Sequence, residues 1–307
     1  MTGGPMYDVI IIGGGVAGYT AGIYLSRAGK RALVIEGTAI GGQISVSPKV
    51  ENYPGFKEIS GMELSDLIYT QATDLGVETE FDTVTGVEDL GTVKKVTTEY
   101  SSFEARAVII ATGCRHRKLG AKGEEEFAGK GVSYCAICDG AFYSGKEVAV
   151  VGGGSSALSA CELLSGICSK VSLIHRRQEF RGESKLVETL ISKPNVEFIL
   201  DSVVDEITGG ESVSGISVKN TVSDEIKSIP VSAVFVSVGQ EPQNAIFSSL
   251  VDLDAQGYID AGENSKTSRA GFFAAGDCRS KMIRQLTTAV ADGTSAAMAA
   301  CEYLRLN

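Results

Sequence analysis

Two stretches of this chain pass from an apolar run directly into three glycines. Tyr7 to Ile12 reads Y-D-V-I-I-I and leads into Gly13-Gly14-Gly15-Val16-Ala17-Gly18. Glu147 to Val151 reads E-V-A-V-V and leads into Gly152-Gly153-Gly154-Ser155-Ser156-Ala157. Short apolar runs of this kind fit strands buried on both faces of a parallel sheet. After the first turn a helix is expected to about Ala28, then a strand over Arg31 to Ile35. After the second, a helical stretch leads to a strand over Val171 to Ile174. The chain therefore repeats a unit of strand, glycine turn, helix and strand.

Between the repeats, Gly61 to Leu75 places Leu64, Leu67, Ile68, Ala72 and Leu75 at helical spacing. Thr92 to Ile110 is rich in β-branched residues and predicts strands, ending in Ala111-Thr112-Gly113. Val203 to Val218 again predicts strands with glycine turns. Val234 to Val238 predicts a strand that ends at Gly239, and Phe272 to Ala275 a short one. A helix of small residues is expected from about Gln285 to Leu304. The fold class is α/β: two Rossmann-like, three-layer dinucleotide-binding domains, the second inserted in the first. The outer domain is expected over residues 1–114 and 246–307, the inner one over 115–245. Met1 to Pro5 read as a loose tail, and Met6 could serve as an alternative start.

Composition narrows the class. The 307 residues suffice for two domains with sizeable cores, and 43% hydrophobic with 21% charged residues describes a soluble globular chain. A net charge of −10 argues against nucleic acid or an anionic membrane as partner. No apolar stretch approaches the roughly 20 residues that span a bilayer. No basic segment leads into an apolar signal segment ahead of Tyr7. The seven cysteines are odd in number and scattered, unlike a secreted disulfide framework, so a reducing cytoplasm is the expected compartment.

The glycines have a chemical use. The first permits a tight turn, the second lets backbone approach a pyrophosphate, and the third lets helix pack on strand. The helix N-terminus then offers free N–H groups to phosphate. The residue closing the second strand separates the two sites. In the first repeat it is Glu36, a carboxylate suited to ribose hydroxyls and hostile to a 2′-phosphate. At the same offset in the second repeat stands His175, followed by Arg176, Arg177 and Arg181. That basic cluster suits a 2′-phosphate and favours NADPH over NADH. The alternative is a solvated basic turn. The economical assignment is FAD in the first site and NADPH in the second, since a flavin can accept a hydride and go on to reduce a disulfide.

Cys135 and Cys138 form the chain's C-x-x-C pair, just ahead of the second repeat. A zinc site would need a second pair at metal spacing, and the chain's two histidines, His116 and His175, supply none, so no metal is expected. C-x-x-C cysteines readily reach lowered thiol pKa values. Asp139 follows directly. It could move protons on and off the dithiol, or it could cap the turn that follows.

Together these motifs resemble the low-molecular-weight thioredoxin reductases over essentially the whole chain. The likeness rests on G-G-G-V-A-G at 13–18, Gly41-Gly42-Gln43, Glu51-Asn52-Tyr53-Pro54-Gly55-Phe56 and Ala111-Thr112-Gly113. It continues through C-A-I-C-D-G at 135–140, H-R-R-Q-E-F-R at 175–181, and Ala275-Gly276-Asp277 followed by Arg284-Gln285. The resemblance implies FAD held by Gly13, Gly15, Val16, Ala17, Gly18, Glu36, Gly42, Gln43, Asn52 and Val84. Ala111, Thr112, Gly113, Gly276, Asp277, Arg284, Gln285 and Leu286 complete that set. It implies NADPH held by Gly152, Gly154, Ser155, Ser156, Ala157, His175, Arg176, Arg177, Arg181 and Gly239. Cys138 would be the cysteine next to the flavin, Cys135 would attack the partner's disulfide, and Asp139 would be the acid–base residue. The partner would be thioredoxin or a thioredoxin-like protein. The family is homodimeric, and its members alternate between two domain arrangements. This chain departs from the family pattern at Ser155, Ser159 and Ala160, where acidic residues or Asn are usual, at Ala141, which replaces an aromatic, and at Cys278, where an apolar residue is commoner.

Other readings compete with a thioredoxin-disulfide reductase. An FAD-dependent dithiol oxidase would need no basic cluster at 175–181. A ferredoxin or flavodoxin reductase would need no Cys135–Cys138 pair. A non-enzymatic FAD sensor would need no second nucleotide. A reductase of another thioredoxin-like or glutaredoxin-like protein would use every motif named above.

Overall fold

The computed structural model describes residues 6–307, so the tail expected over Met1 to Pro5 lies outside the described residues. The chain divides into two compact units, the described part of Met1–Arg115 with Glu241–Asn307, and His116–Gln240. It passes between them at Cys114–His116 and Gln240–Pro242, two short strands that pair with each other.

In the first unit, Tyr7–Ile12 lies between Ala32–Ile35 and Ser102–Ile110, parallel to both, and Glu78–Glu80 extends the sheet past Ala32–Ile35. Ser102–Ile110 forks. Its first residues pair antiparallel with Lys94–Thr98, which pairs with Val84–Asp89, while its last residues run parallel to Phe272–Ala274. Val9 and Ile11 face the helices Val16–Arg27 and Leu286–Leu306, whereas Ile10 and Ile12 face a second core with Phe247 and Phe272. Both faces are therefore buried, which is why the strand reads as an apolar run rather than an alternation.

The second unit repeats the plan. Five parallel strands stand in the order Val196–Ile199, Lys170–Ile174, Glu147–Val151, Ala233–Val236 and Val132–Ser133. Val148 and Val150 pack on the Ser155–Ser165 helix through Leu158 and Leu164. Ala149 and Val151 face a three-stranded antiparallel sheet, Ser202–Gly209, Val213–Asn220 and Ile226–Pro230, through Ile207, Ile216 and Ile229. Helix, parallel sheet and antiparallel sheet make the three layers.

The fully buried strands fall where the apolar runs predict them: Tyr7–Ile12 and Glu147–Val151 carry the expected bounds. The strand expected over Val234 to Val238 occupies Ala233–Val236, because Ser237 and Val238 have already entered the turn toward Gly239. Several elements escaped the pattern, among them the strands Val84–Asp89 and Ile226–Pro230 and the helix Ser184–Ile191, which are half-exposed and mixed in polarity. Asn244, which the sequence places in the inner span, is buried in the outer unit, where its amide donates to the carbonyls of Gly257 at 2.9 Å and Cys278 at 2.7 Å.

One buried ion pair fastens the antiparallel extension to the sheet. Lys94 is 2% exposed and donates to Asp89 at 2.6 Å, and Arg269 reaches the same carboxylate at 2.7 Å. Burial pushes the Asp89 carboxyl up, but the bonds from Lys94 and Arg269 prevail and hold it below the usual range. Its contribution is thus complete at neutral pH and is lost as the pH falls through the lowered folded value. Asp89→Ala strands a buried ammonium, and we expect it to destabilise the protein by about 3–5 kcal/mol. A thermal midpoint unchanged from the parent would contradict this.

Candidate active site and nucleotide sites

In the first unit, the glycine turn is shaped by what a side chain would strike. Gly13 has φ +110°, and a Cβ there would meet the Ala111 carbonyl, while one on Gly18 would run into the Gly13 carbonyl. Gly15 is different: the nearest atom to its absent Cβ is the Gly41 carbonyl oxygen at 3.9 Å. It caps the Val16–Arg27 helix without any side-chain bond, so a phosphate can approach the first-turn N–H groups. Glu36 is buried beside the turn. The Gly14 N–H donates to one of its oxygens at 2.6 Å, and Thr38 N–H, Thr38 Oγ and Ala39 N–H donate to the other at 2.7, 2.8 and 3.1 Å.

The far side of this site comes from the last part of the chain. Asp277 Oδ1 is buried with no hydrogen-bond partner among the described residues, and burial pushes its carboxyl up against the pull of Lys281 and Arg284. An orphaned acceptor at this place is what a bound hydroxyl would satisfy. Arg284 braces it by donating to the Asp277 carbonyl at 3.5 Å and lies 4.1 Å from the Tyr258 ring centroid. Gln285 caps the final helix in a capping box with Thr288, and Asn52 donates to its side chain at 3.4 Å. Leu286 packs against the Val50, Ile59 and Leu64 cluster. Gln43 donates to the Cys114 carbonyl, and Thr112 Oγ donates to Asn244 at 3.2 Å. Val84 packs half-buried on the Phe247 core. Gly42, Gly113 and Gly276 take φ values of +63°, +66° and +79°.

Sequence reasoning missed the ion cluster beneath this loop. Asp292 accepts from the Gly276 N–H at 3.0 Å, from Arg279 Nε and Nη2 at 2.9 and 2.7 Å, and from Lys281 Nζ at 2.8 Å. It thereby fixes the loop that presents Asp277. The available signal was a carboxylate set among the buried alanines and Gly293 of the last helix.

The second unit holds a cavity of about 520 Å³ between the 152–156 turn, the 175–181 loop and Gly239. His175 is buried as its floor: Nε2 donates to the Glu179 carbonyl at 3.0 Å, and its ring stacks on Phe180 at 5.0 Å. A Cβ on Gly153 would collide with that ring. The Arg181 N–H donates to the Gly153 carbonyl at 2.8 Å and ties the basic loop to the glycine turn. Arg176, Arg177 and Arg181 line the cavity, and among the described residues none is in an ion pair with a carboxylate. Ser155 and Ser156 open the following helix, and Ala157 takes the third motif position, fully buried. Arg117, not singled out from sequence, also lines the cavity.

Cys135 and Cys138 are joined as a disulfide, with their Cα atoms 5.3 Å apart. Cys135 caps the short helix Ala136–Asp139, and its sulfur accepts the Cys138 N–H at 3.2 Å. Cys138 is exposed and Cys135 half-buried. Asp139 makes no side-chain cap on the turn Gly140–Tyr143, which removes the capping role considered from sequence. Its carboxylate turns back to accept from Ser133 Oγ at 2.6 Å. Burial pushes this carboxyl up, against the Ser133 bond. The remaining cysteines are free, and burial pushes the thiols of Cys114 and Cys161 to about 12 and that of Cys278 to about 11. Cys278 serves as a small core side chain whose thiol donates to the carbonyls of Ile110 and Ala275 at 3.3 Å.

The sequence pattern of the pyridine nucleotide-disulphide oxidoreductases matches residues 7–293. The thioredoxin reductase of Listeria monocytogenes is 44% identical over 97% of this chain and 94% of its own length. That of Bacillus subtilis is 41% identical over 97% and 95%. The crystal structure of thioredoxin reductase from Streptococcus pyogenes superposes with a TM-score of 0.94 at 40% identity, covering 98% of this chain and 99% of that one.

The unpaired guanidinium groups generate a prediction. Each charge-assisted bond they would give a 2′-phosphate is worth about 1.5–3 kcal/mol. Replacing Arg176 and Arg177 by Ala is expected to lower the preference for NADPH over NADH, measured as the ratio of kcat/KM values, by at least about tenfold. An unchanged ratio would remove these residues from the 2′-phosphate site.

Proposed function

This chain belongs to the pyridine nucleotide-disulphide oxidoreductase family, and we propose that its Cys135–Cys138 pair passes electrons from NADPH, by way of FAD, to the disulfide of thioredoxin. The chain is an enzyme, and its activity is thioredoxin-disulfide reduction. The observation that carries the reading is the disulfide itself, formed between residues three apart in a protein whose other cysteines stay free and mostly buried.

FAD is assigned to the first unit, on the Gly13–Gly18 turn with Glu36, Asn52, Asp277 and Gln285. The open approach to Gly15 and the unpaired Asp277 oxygen support this fit. NADPH is assigned to the second unit, on Gly152–Ala157 with Arg176, Arg177 and Arg181, supported by the cavity and its unpaired cations. When bound, the two cofactors supply the hydride and two-electron chemistry that reduces the Cys135–Cys138 disulfide.

In the resulting dithiol, Cys135 is the attacking sulfur. The N–H of Cys138 aimed at it favours the thiolate. That thiolate attacks one sulfur of the thioredoxin disulfide; a mixed disulfide forms, and the other thioredoxin sulfur leaves as a thiolate and takes up a proton. Cys138, deprotonated, then attacks Cys135 Sγ. The mixed disulfide breaks, dithiol thioredoxin departs and the Cys135–Cys138 bond re-forms. Two electrons have moved to thioredoxin. Asp139 takes and returns the protons of this exchange, and its upward-shifted carboxyl is better matched to that task than an exposed aspartate.

The working form is proposed to be a cytoplasmic homodimer. Five free cysteines are consistent with a reducing compartment, and no described helix is long and apolar enough to cross a membrane. Sedimentation equilibrium of the holoenzyme should give twice the chain mass; a single-chain mass at working concentration would refute the dimer.

The roles of the two cysteines can be separated. Cys135→Ser and Cys138→Ser should each keep NADPH-driven bleaching of the flavin yet lose thioredoxin reduction by at least about a thousandfold, since removing a nucleophile abolishes its step. Either variant turning over thioredoxin at the parent rate would sink the dithiol relay.

A further inference from the structure

Ser133 ends the short strand Val132–Ser133 and is buried. Its hydroxyl stands among three neighbours. It donates to Asp139 Oδ2 at 2.6 Å, it accepts the Cys135 N–H at 3.1 Å, and the Cys135 carbonyl lies 3.4 Å away as a second acceptor. A serine hydroxyl has one proton and two lone pairs. With Asp139 ionised, the proton goes to the carboxylate, the shorter contact. With Asp139 protonated, the carboxyl O–H donates to Oγ and the serine proton turns to the Cys135 carbonyl. Oγ accepts the Cys135 N–H in both states, so every polar atom of the trio stays paired while the proton count changes.

We propose that Ser133 is a positioning residue of the dithiol centre, its hydroxyl rotating between the Asp139 carboxyl and the Cys135 carbonyl and so coupling the acid–base group to the backbone of the attacking cysteine. The coupling rests on Asp139 acting as the acid–base group.

Few other groups act on this carboxyl. Tyr143, in the turn Gly140–Tyr143, feels the Asp139 charge, but burial above all pushes its phenol up and keeps it neutral. The Ser155–Ser165 helix packed against Ala136–Asp139 carries Cys161, whose thiol is also neutral, and Glu162, which is exposed. Ala233–Val236, paired with Val132–Ser133, carries no titratable side chain. Cys135 and Cys138 are the reacting groups themselves. Against burial, the Ser133 hydroxyl is the bond that holds the Asp139 carboxyl down.

The test uses the FAD-loaded enzyme, reduced with NADPH and mixed with oxidised thioredoxin in a stopped-flow instrument across the acid and neutral range. Asp139→Asn identifies the acid limb of the rate profile that belongs to Asp139. Ser133→Ala should move that limb up by about one pH unit, because a hydrogen bond that favours the carboxylate is lost. Ser133→Thr, which keeps a hydroxyl, should bring it back toward the parent position. A Ser133→Ala limb that coincides with the parent's, while Asp139→Asn abolishes it, overturns the role of Ser133 and leaves that of Asp139 standing. An Asp139→Asn profile identical to the parent's overturns the acid–base reading and the Ser133 role with it. The parent gives a second readout that needs no Ser133 variant: the Ser133 Cβ resonance should titrate with the same midpoint as the Asp139 carboxyl carbon. A Ser133 resonance that stays fixed while Asp139 titrates overturns the proposal.

Discussion

The carbonyl oxygen of Gly13 stands where a side chain on residue 18 would have to go, and the Ala111 carbonyl does the same to residue 13. A third close approach of the same kind sets Gly293 of the last helix against the Ala17 carbonyl of the first. These backbone-on-backbone contacts bring the helix start over the strand end, where its free N–H groups can face a pyrophosphate. They also bring the Leu286–Leu306 helix against Val16–Arg27, and with it the Asp292 cluster that holds the Asp277 loop. The second unit meets the constraint in a different way. Gly152 abuts the Ser237 carbonyl, and its missing Cβ makes room for the methyl of Ala157, which replaces the third glycine.

On this repeated frame the two sites carry opposite charge. Glu36 is buried with four hydrogen bonds donated to its carboxylate, so its oxygens are held in place before any ligand arrives. At the matching offset His175 is buried and packed, and the arginines that follow it project to the cavity without counter-ions. A phosphate dianion would be repelled at the first site and paired at the second. One architecture can thus hold two dinucleotides of different polarity in an ordered electron path.

The sequence made some of this legible and hid the rest for physical reasons. The strands at Tyr7–Ile12 and Glu147–Val151 are buried on both faces, so their apolar runs mark them to the residue. Val84–Asp89 and Ile226–Pro230 each have a wetter side, and their mixed pattern gives no such mark. The C-x-x-C pair and the basic loop announce their chemistry by residue type at fixed spacing. Asp292, Arg279 and Asn244 do not: alone they look like surface polar residues, and only the fold brings each into a buried network. Ser133 escaped notice because its hydroxyl matters only through Asp139, which curls back to meet it.

The electron path from NADPH through the flavin and the Cys135–Cys138 disulfide to thioredoxin can be followed under strict exclusion of oxygen, by adding NADPH to the FAD-loaded protein and then oxidised thioredoxin while recording the flavin absorbance. NADPH should bleach the flavin and thioredoxin should restore it, with one thioredoxin disulfide reduced for each NADPH consumed. A flavin that stays bleached with thioredoxin and recovers only when air is admitted would contradict that path and point to a dithiol oxidase.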